Sequence, residues 1–295
     1  MITIVLWASA FAGIREALKS FDPGQLSVLR LAIASIALLA IAPFVGVRVP
    51  AKRDLFVLVA AAVTGMSGYQ LLLNTGEQTV TAGTASILVN TGPIFAALLA
   101  TRFLGERLNS RAWAGIAVAF TGALTIALGQ SNGISLSAGA LLVLAAALSL
   151  ATFFVVQKPL LDRYSSFEMT TYATIIATIT LLPVAPSVPN AISKASAGSL
   201  AAVAFLGLGA SATGFFAWAY ANARLNVSRT ASALYLVPAV AVLVALLWLG
   251  ELPSLITIVG GIIAISGVIV TSSGRRAQPR PTPSPTRAEP LLRTE

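Results

Sequence analysis

The sequence has neither cysteine nor histidine among its 295 residues. The first absence excludes disulfides and thiolate chemistry, and the second excludes imidazole bases and imidazole ligands. Charged residues make up only 10% of the chain, against about a quarter in a typical soluble domain. The few carboxylates are scattered, with no pair at helical spacing inside an apolar run. We therefore expect no metal, no cofactor and no catalytic site, and an enzyme is disfavoured.

Apolar residues are what the chain has in excess, at 57% of the sequence with a mean hydropathy of +0.87. Each apolar segment is long enough, or nearly so, to cross hydrocarbon as a helix, which predicts an all-α integral membrane protein with ten transmembrane helices. The segments are 1–18, 24–45, 54–74, 82–103, 110–129, 136–157, 167–185, 198–221, 230–250 and 254–273. The first resembles a signal peptide at "ASA", but no basic residue precedes its apolar run, so we favour a first helix.

Positive charge indicates the orientation of these helices. The net charge is +9, and most Lys and Arg residues fall in alternate loops and in the tail. The positive-inside rule then places both termini in the cytoplasm, and we expect a multi-pass protein of a bacterial inner (cell) membrane that binds no nucleic acid. Residues 274–295, rich in Pro, Arg, Ser and Thr, predict a disordered basic cytoplasmic tail.

An apolar run followed by Gly-Glu occurs twice, at Gly105-Glu106 and at Gly250-Glu251. The same shift along the chain also aligns three further landmarks, which are Pro93 with Pro238, Gly115 with Gly260, and Gly122 with Gly267. This predicts a first repeat over 1–130 and a second over 131–273. Because each repeat has an odd number of spans, the second enters the membrane inverted, and we expect two inverted five-helix repeats around a central cavity.

The motifs "LWASAF" at 6–11, "FLGERL" at 103–108 and "WLGELP" at 248–253, together with the duplication, resemble the drug/metabolite transporter superfamily of the EamA type. The resemblance covers nearly all of residues 1–273. It implies ten helices, a central cavity, export of small metabolites, and Trp7 turned toward the cavity. The sequence departs from the family in having little apolar sequence before Trp7.

Two matched prolines, Pro93 and Pro238, fall inside predicted helices. Each removes a backbone N–H and leaves a carbonyl without its helical partner, and in lipid that carbonyl needs a neighbour or a watery cavity. We interpret both as kinks that face the cavity; the alternative is a kink satisfied by neighbouring helices. Asn90 and Tyr235 are matched in the same way, and we expect them to line the cavity or to join helices.

Other polar and aromatic side chains complete the predicted substrate site. Gln70 and Asn74 share a helix face, and their counterparts in the second repeat are Phe216 and Tyr220. The further candidates are Tyr69 on an adjoining face, the pair Trp7 and Phe11, and the pair Phe153 and Gln157. For the aromatic residues the alternative is a belt at the membrane surface.

The charged candidates form a second group, which we expect to act as gates or charge partners. Arg30 lies inside the second segment, where it can hold a substrate carboxylate, pair with Glu77 or extend toward the surface. Glu77 is the best placed carboxylate for proton antiport, to which facilitated exchange or uniport is the alternative. Glu106 and Glu251 stand at helix ends where an anion is unfavourable, so each needs a partner as a gate or structural element.

These features favour a secondary transporter that exports small amino-acid-like, neutral or zwitterionic metabolites by alternating access. Efflux of organic cations or drugs is the alternative, and a channel or membrane enzyme is less favoured. The expected partners are the substrate and the lipid bilayer. The paired glycines also allow a homodimer surface, besides close packing of helices.

Overall fold

The computed structural model describes residues 2–103, 108–129, 137–184, 187–217 and 236–273. Within these ranges the chain is α-helical and contains no β-strand. We number the main helices α1 Ile2–Ala17, α2 Pro23–Val45, α3 Lys52–Gly76, α4 Ala82–Phe103, α5 Ser110–Gly129, α6 Ala138–Val156, α7 Ser166–Val184, α8 Ala197–Ala217, α9 Val237–Leu249 and α10 Leu255–Ser273. A short helix, Val188–Lys194, precedes α8.

Six of these helices, α2, α3, α4, α6, α7 and α8, are long and apolar enough to cross a membrane. The apolar parts of α5, α9 and α10 within the described ranges are shorter. From α1 to α7, each helix begins and ends within two residues of its predicted segment. The expectation of an all-α membrane protein is therefore confirmed.

The Gly-Glu motif has a structural reason in its second copy. Gly250 adopts a left-handed conformation with φ 68° and its N–H bonds to the carbonyl of Leu246 at 3.1 Å, which ends α9. Only glycine takes this conformation without a steric penalty. The first copy, Gly105-Glu106, lies outside the described residues.

The main contacts between the two predicted repeats come in reciprocal pairs. Helix α1 packs on α8 and α9, and its counterpart α6 packs on α3 and α4. Likewise α2 packs on α7 and α8, and α7 packs on α2 and α3. Helix α4 also contacts α9, and α5 contacts α10. Exchanging each helix with its counterpart in the other repeat therefore reproduces this set of contacts.

The paired glycines form the α5–α10 contact. A Cβ at Gly115 would meet Gly267 O at 2.7 Å, and a Cβ at Gly122 would meet Gly260 O at 2.6 Å. Small residues let helices approach this closely in membranes. These glycine faces thus pack against each other within one chain, which is the close-packing role expected for them.

Three of the helices depart from regular geometry. Helix α4 is interrupted at Asn90 and Thr91, directly before Gly92 and Pro93. Helices α3 and α8 each contain a π-helical segment, at Val63–Gly68 and Phe205–Thr213. Segments of π-helix are rare in proteins overall but frequent at functional sites. The space that these two helices border is therefore a candidate functional site.

Candidate functional site

One face of α3 carries a stripe of buried polar side chains. Gln70, Asn74 and Glu77 are spaced by four and three residues, so they lie above one another on the helix. Gln70 is 1% exposed, and Asn74 and Glu77 are 0% exposed. Polar groups buried to this degree require partners.

Arg30 of α2 lies opposite this stripe and is 5% exposed. Its Nη1 donates to Gln70 Oε1 at 3.0 Å, and its Nε donates to Ser211 Oγ of α8 at 2.8 Å. The guanidinium therefore connects the two predicted repeats. It is buried rather than extended to the surface, and it bonds to neutral groups rather than to Glu77.

Ser27, one helical turn before Arg30, fixes the orientation of Asn74. Ser27 Oγ donates its only proton to the carbonyl of Pro23 at 2.6 Å and accepts from Asn74 Nδ2 at 2.8 Å. Asn74 Oδ1 must therefore point elsewhere, since the hydroxyl has no second proton to give. We call Ser27, Arg30, Gln70, Asn74, Glu77 and Ser211 the buried polar cluster.

Three acceptor atoms of the buried polar cluster have no hydrogen-bond partner among the described residues. They are Asn74 Oδ1 and both carboxyl oxygens of Glu77. Burial raises the pKa of the Glu77 carboxyl well above its usual range, against the opposing effects of Arg15 and Arg30. The cluster thus holds a buried cation and a row of unsatisfied oxygens.

The end of α3 next to Glu77 carries a set of ionic contacts. Arg15 Nη1 donates to the backbone oxygen of Glu77 at 2.6 Å, and Arg15 Nε pairs with Glu251 Oε1 at 3.1 Å. Glu251 Oε2 accepts from the backbone N–H of Ala82 at 3.0 Å, at the start of α4. Glu251 therefore has the partner it was expected to need. We call Arg15, Glu77 and Glu251 the Arg15 cluster.

A second set of ionic contacts lies at the opposite end of α3. Arg48 Nε pairs with Glu168 Oε1 at 2.9 Å, and Asp54 pairs with Arg163. Asp54 also accepts from the hydroxyl of Tyr164 at 2.9 Å. Arg48 and Asp54 belong to the first predicted repeat, and the other residues belong to the second. We call Arg48, Asp54, Arg163 and Glu168 the Arg48 cluster.

Trp7 and Tyr69 lie beside the buried polar cluster. Trp7 Nε1 donates to the carbonyl of Ala210 at 3.0 Å, one residue before Ser211, and the Trp7 ring contacts Phe215 edge-on at 5.2 Å. Tyr69 precedes Gln70 and is half-buried. Phe11, one turn after Trp7, is buried in the apolar core.

The other described candidates lie apart from the buried polar cluster. Asn90 Nδ2 bonds to the carbonyl of Ser86 in its own helix at 2.9 Å. Phe153 is buried against α3, Gln157 follows the end of α6, and the exposed Phe216 meets Phe167 edge-on at 5.9 Å.

Both prolines lie at the start of a described stretch of helix. Pro93 is the second residue after the interruption in α4, as the predicted kink requires. Pro238 lies in the first turn of α9 as described. Tyr220, Tyr235 and Glu106 lie outside the described residues.

The sequence analysis missed several residues of these clusters. Ser27 and Ser211 carry no local signal, because their roles depend on how α2, α3 and α8 pack. Glu168 does carry a local signal, since Ser165 and Glu168 form a capping box at the start of α7. That spacing predicts a helix start, but not the ion pair with Arg48.

The chain is similar to known proteins of one family. The model of the EamA-like transporter family matches residues 1–128 and 137–273. A protein of Streptantibioticus cattleyicolor named "Probable terminal-alkyne amino-acid exporter" is 43% identical over 94% of both chains. An uncharacterized transporter of Bacillus subtilis is 35% identical over 92% of this chain and 88% of its own.

One solved structure is also similar, with a TM-score of 0.62 over 91% of this chain and 93% of that chain. At 17% identity it supports the fold alone. The family match covers both predicted repeats and agrees with the apolar helices. The chain therefore belongs to the EamA-like transporter family, and it is a multi-pass membrane transporter.

Proposed function

We propose that this protein exports small amino-acid-like zwitterions by alternating access. The observation that carries the proposal is Arg30, a buried guanidinium that contacts both repeats and bonds only to neutral side chains. Among the described residues no carboxylate forms an ion pair with it. An ionised group inside a helix bundle marks a functional site by default.

A substrate carboxylate supplies the missing countercharge. Arginine binds carboxylates through two parallel N–H donors, and such charge-assisted hydrogen bonds are strong in a dry environment. The amide of Gln70 and the hydroxyl of Ser211 orient the guanidinium without neutralising it. A buried cation also disfavours organic cations as substrates. The name of one relative, an amino-acid exporter, agrees with a substrate that has a carboxylate.

The two ionic clusters are suited to act as gates. Each joins the predicted repeats, and they lie at opposite ends of α3, a helix of 25 residues that spans roughly 38 Å at 1.5 Å per residue. We propose that opening one cluster while the other stays closed exposes Arg30 to alternate sides of the membrane. The reciprocal helix contacts support the inverted arrangement of 1–130 and 131–273 that this motion requires.

The orientation follows from the charges of the loops. The Arg15 cluster lies on the outer side and the Arg48 cluster on the cytoplasmic side of the cell membrane, with both termini in the cytoplasm. In this arrangement Trp7 and Tyr69 border the path of the substrate.

Counterflow in proteoliposomes tests the proposal. Vesicles loaded with an unlabelled amino acid should take up the labelled one transiently, and amino-acid amides should exchange much less. A hydrogen bond to a charged group contributes about 1.5–3 kcal/mol, so Arg30→Gln should raise KM for the acid on the order of 10- to 100-fold. The KM of Arg30→Lys should fall between those of wild type and Arg30→Gln, since lysine keeps the charge but lacks the planar guanidinium.

The acid-to-amide ratio separates binding from folding. A general loss of structure lowers transport of both substrates together, whereas loss of the carboxylate partner removes the preference for the acid. Wild-type protein that exchanges neither acids nor amides would contradict the proposed function. An unchanged acid preference in Arg30→Gln would remove Arg30 from the site.

A further inference from the structure

We propose that Glu77 is the proton-binding site that couples export to proton entry, and that its protonated carboxyl donates to Asn74 Oδ1 in the arrangement seen here. The inference rests on the proposed transport function, which it deepens by assigning the coupling ion. It starts from three unsatisfied oxygens on one helix face.

The hydrogen-bond donors and acceptors around Asn74 indicate a proton on Glu77. Asn74 Oδ1 cannot exchange places with Nδ2, because Ser27 Oγ needs the amide donor. An ionised Glu77 is acceptor-only and adds two further buried acceptors without donors, which is costly. One proton on Glu77 turns a carboxyl oxygen into a donor, and the i, i+3 spacing places it next to Asn74.

The charged groups around Glu77 come from several elements. Arg15 of α1 gives its donors to Glu251 and to the backbone oxygen of Glu77, not to the carboxyl. Arg30 of α2 is bonded to Gln70 and Ser211. Glu251, from the α9–α10 connection, is a like charge, and Tyr69 lies earlier on α3 itself. The adjoining part of α6 presents Gly139 and Val143, which do not titrate.

These surroundings make the proton a switch for the outer gate. Burial raises the pKa of Glu77 against the opposing effects of Arg15 and Arg30, and Glu251 adds to the rise, which favours the protonated carboxyl while it is dry. Loss of the proton places an anion beside the Arg15–Glu251 pair. That anion attracts Arg15 and repels Glu251, which loosens the contact between α1 and the α9–α10 connection.

The coupling follows from this competition. A protonated Glu77 favours a closed outer end, and the protein releases its proton to the cytoplasm and binds substrate there. An ionised Glu77 favours an open outer end, where substrate leaves and an external proton binds. Each cycle therefore moves one proton inward against one outward substrate, with no other reactant.

Proteoliposomes with an acidic lumen test the inference. Labelled amino acid is supplied outside, and uptake is measured with and without the pH gradient, beside counterflow at equal pH. In wild type the gradient should raise uptake severalfold. In Glu77→Gln, whatever uptake remains should no longer respond to the gradient. Glu16→Gln is the matched control, because Glu16 forms an exposed pair with Lys19, and it should behave as wild type.

Infrared spectroscopy of the purified full chain gives a readout that does not depend on transport. Wild type and Glu16→Gln should show the band of a protonated carboxyl at neutral pH, and Glu77→Gln should lack it. If Glu77→Gln shows no counterflow, this band decides the inference: its loss supports a proton on Glu77, and its persistence overturns it.

The outcomes separate the two proposals. Wild-type uptake that ignores the pH gradient while counterflow persists overturns the inference and leaves the transport function standing. Gradient-sensitive uptake in Glu77→Gln overturns it as well. Wild type without counterflow overturns the transport function, and the infrared band still shows whether Glu77 carries a proton.

Discussion

Tyr164 joins polar groups of both predicted repeats at the end of the molecule that holds the Arg48 cluster. Its hydroxyl donates to Asp54 Oδ2 at 2.9 Å and accepts from the backbone N–H of Ala51 at 2.9 Å. Tyr164→Phe removes both bonds and leaves a buried carboxylate oxygen and an N–H without partners. Each such loss costs about 1–3 kcal/mol, so the variant should unfold at a clearly lower temperature in detergent.

Tyr172→Phe is the matched comparison for this prediction. The Tyr172 hydroxyl makes a single bond, to the carbonyl of Arg48, and its ring contacts that of Tyr164. We expect a smaller loss of thermal stability than in Tyr164→Phe. The reverse order would contradict the role given to the Tyr164 hydroxyl.

Residue types and spacing were enough to predict part of the buried polar cluster. Gln70 and Asn74 were recognisable because amides four apart in an apolar helix must face protein or water. Their partners were not, since Ser27 and Ser211 come from α2 and α8 and meet α3 only through packing. For the same reason the sequence could not decide which partner Arg30 has. In the structure Arg30 bonds to Gln70 and Ser211 and not to Glu77.

At the scale of elements, the contact between α5 and α10 depends on the absence of side chains at four positions. A Cβ at Gly122 would meet the backbone at Ala264 and at Gly260 O, the latter at 2.6 Å. Gly122→Ala must therefore push the helices apart, and overpacking of this kind costs about 1–3 kcal/mol. The variant should lower the midpoint of thermal unfolding.

Gly92→Ala provides the control for this prediction. The nearest atom to a Cβ there is Ala147 O at 3.6 Å, which is an ordinary contact. We expect its stability to match wild type. Equal stability of Gly122→Ala and Gly92→Ala would contradict the close approach of α5 and α10.

Helix positions were easier to predict than helix geometry. Hydropathy locates a span because lipid requires a closed set of backbone hydrogen bonds, and the ends of α1 to α7 follow from it. The π segments at Val63–Gly68 and Phe205–Thr213 were not predicted. They shift the hydrogen bonding along a helix by one residue, which leaves the apolar pattern almost unchanged.

At the scale of the whole molecule, the duplication predicted the arrangement of the largest part of the chain. Five spans in each repeat require opposite orientations, and the paired landmarks at Pro93 and Pro238 lie on α4 and α9, which contact each other. Within the charged clusters, the repeat indicated only Glu251, as the counterpart of Glu106. Its partner Arg15 and the ion pairs of the Arg48 cluster could not be predicted, because they join segments that are distant in sequence.

Labelling of single cysteines tests the inverted arrangement most directly, because the natural chain has no cysteine. Phe103 ends α4 and is 67% exposed, and Leu252 follows α9 and is 72% exposed. A membrane-impermeant maleimide applied to intact cells should label Leu252→Cys, and it should label Phe103→Cys only after the membrane is opened. Labelling of both variants from the same side would contradict the inverted repeats and, with them, a single site reached from both faces.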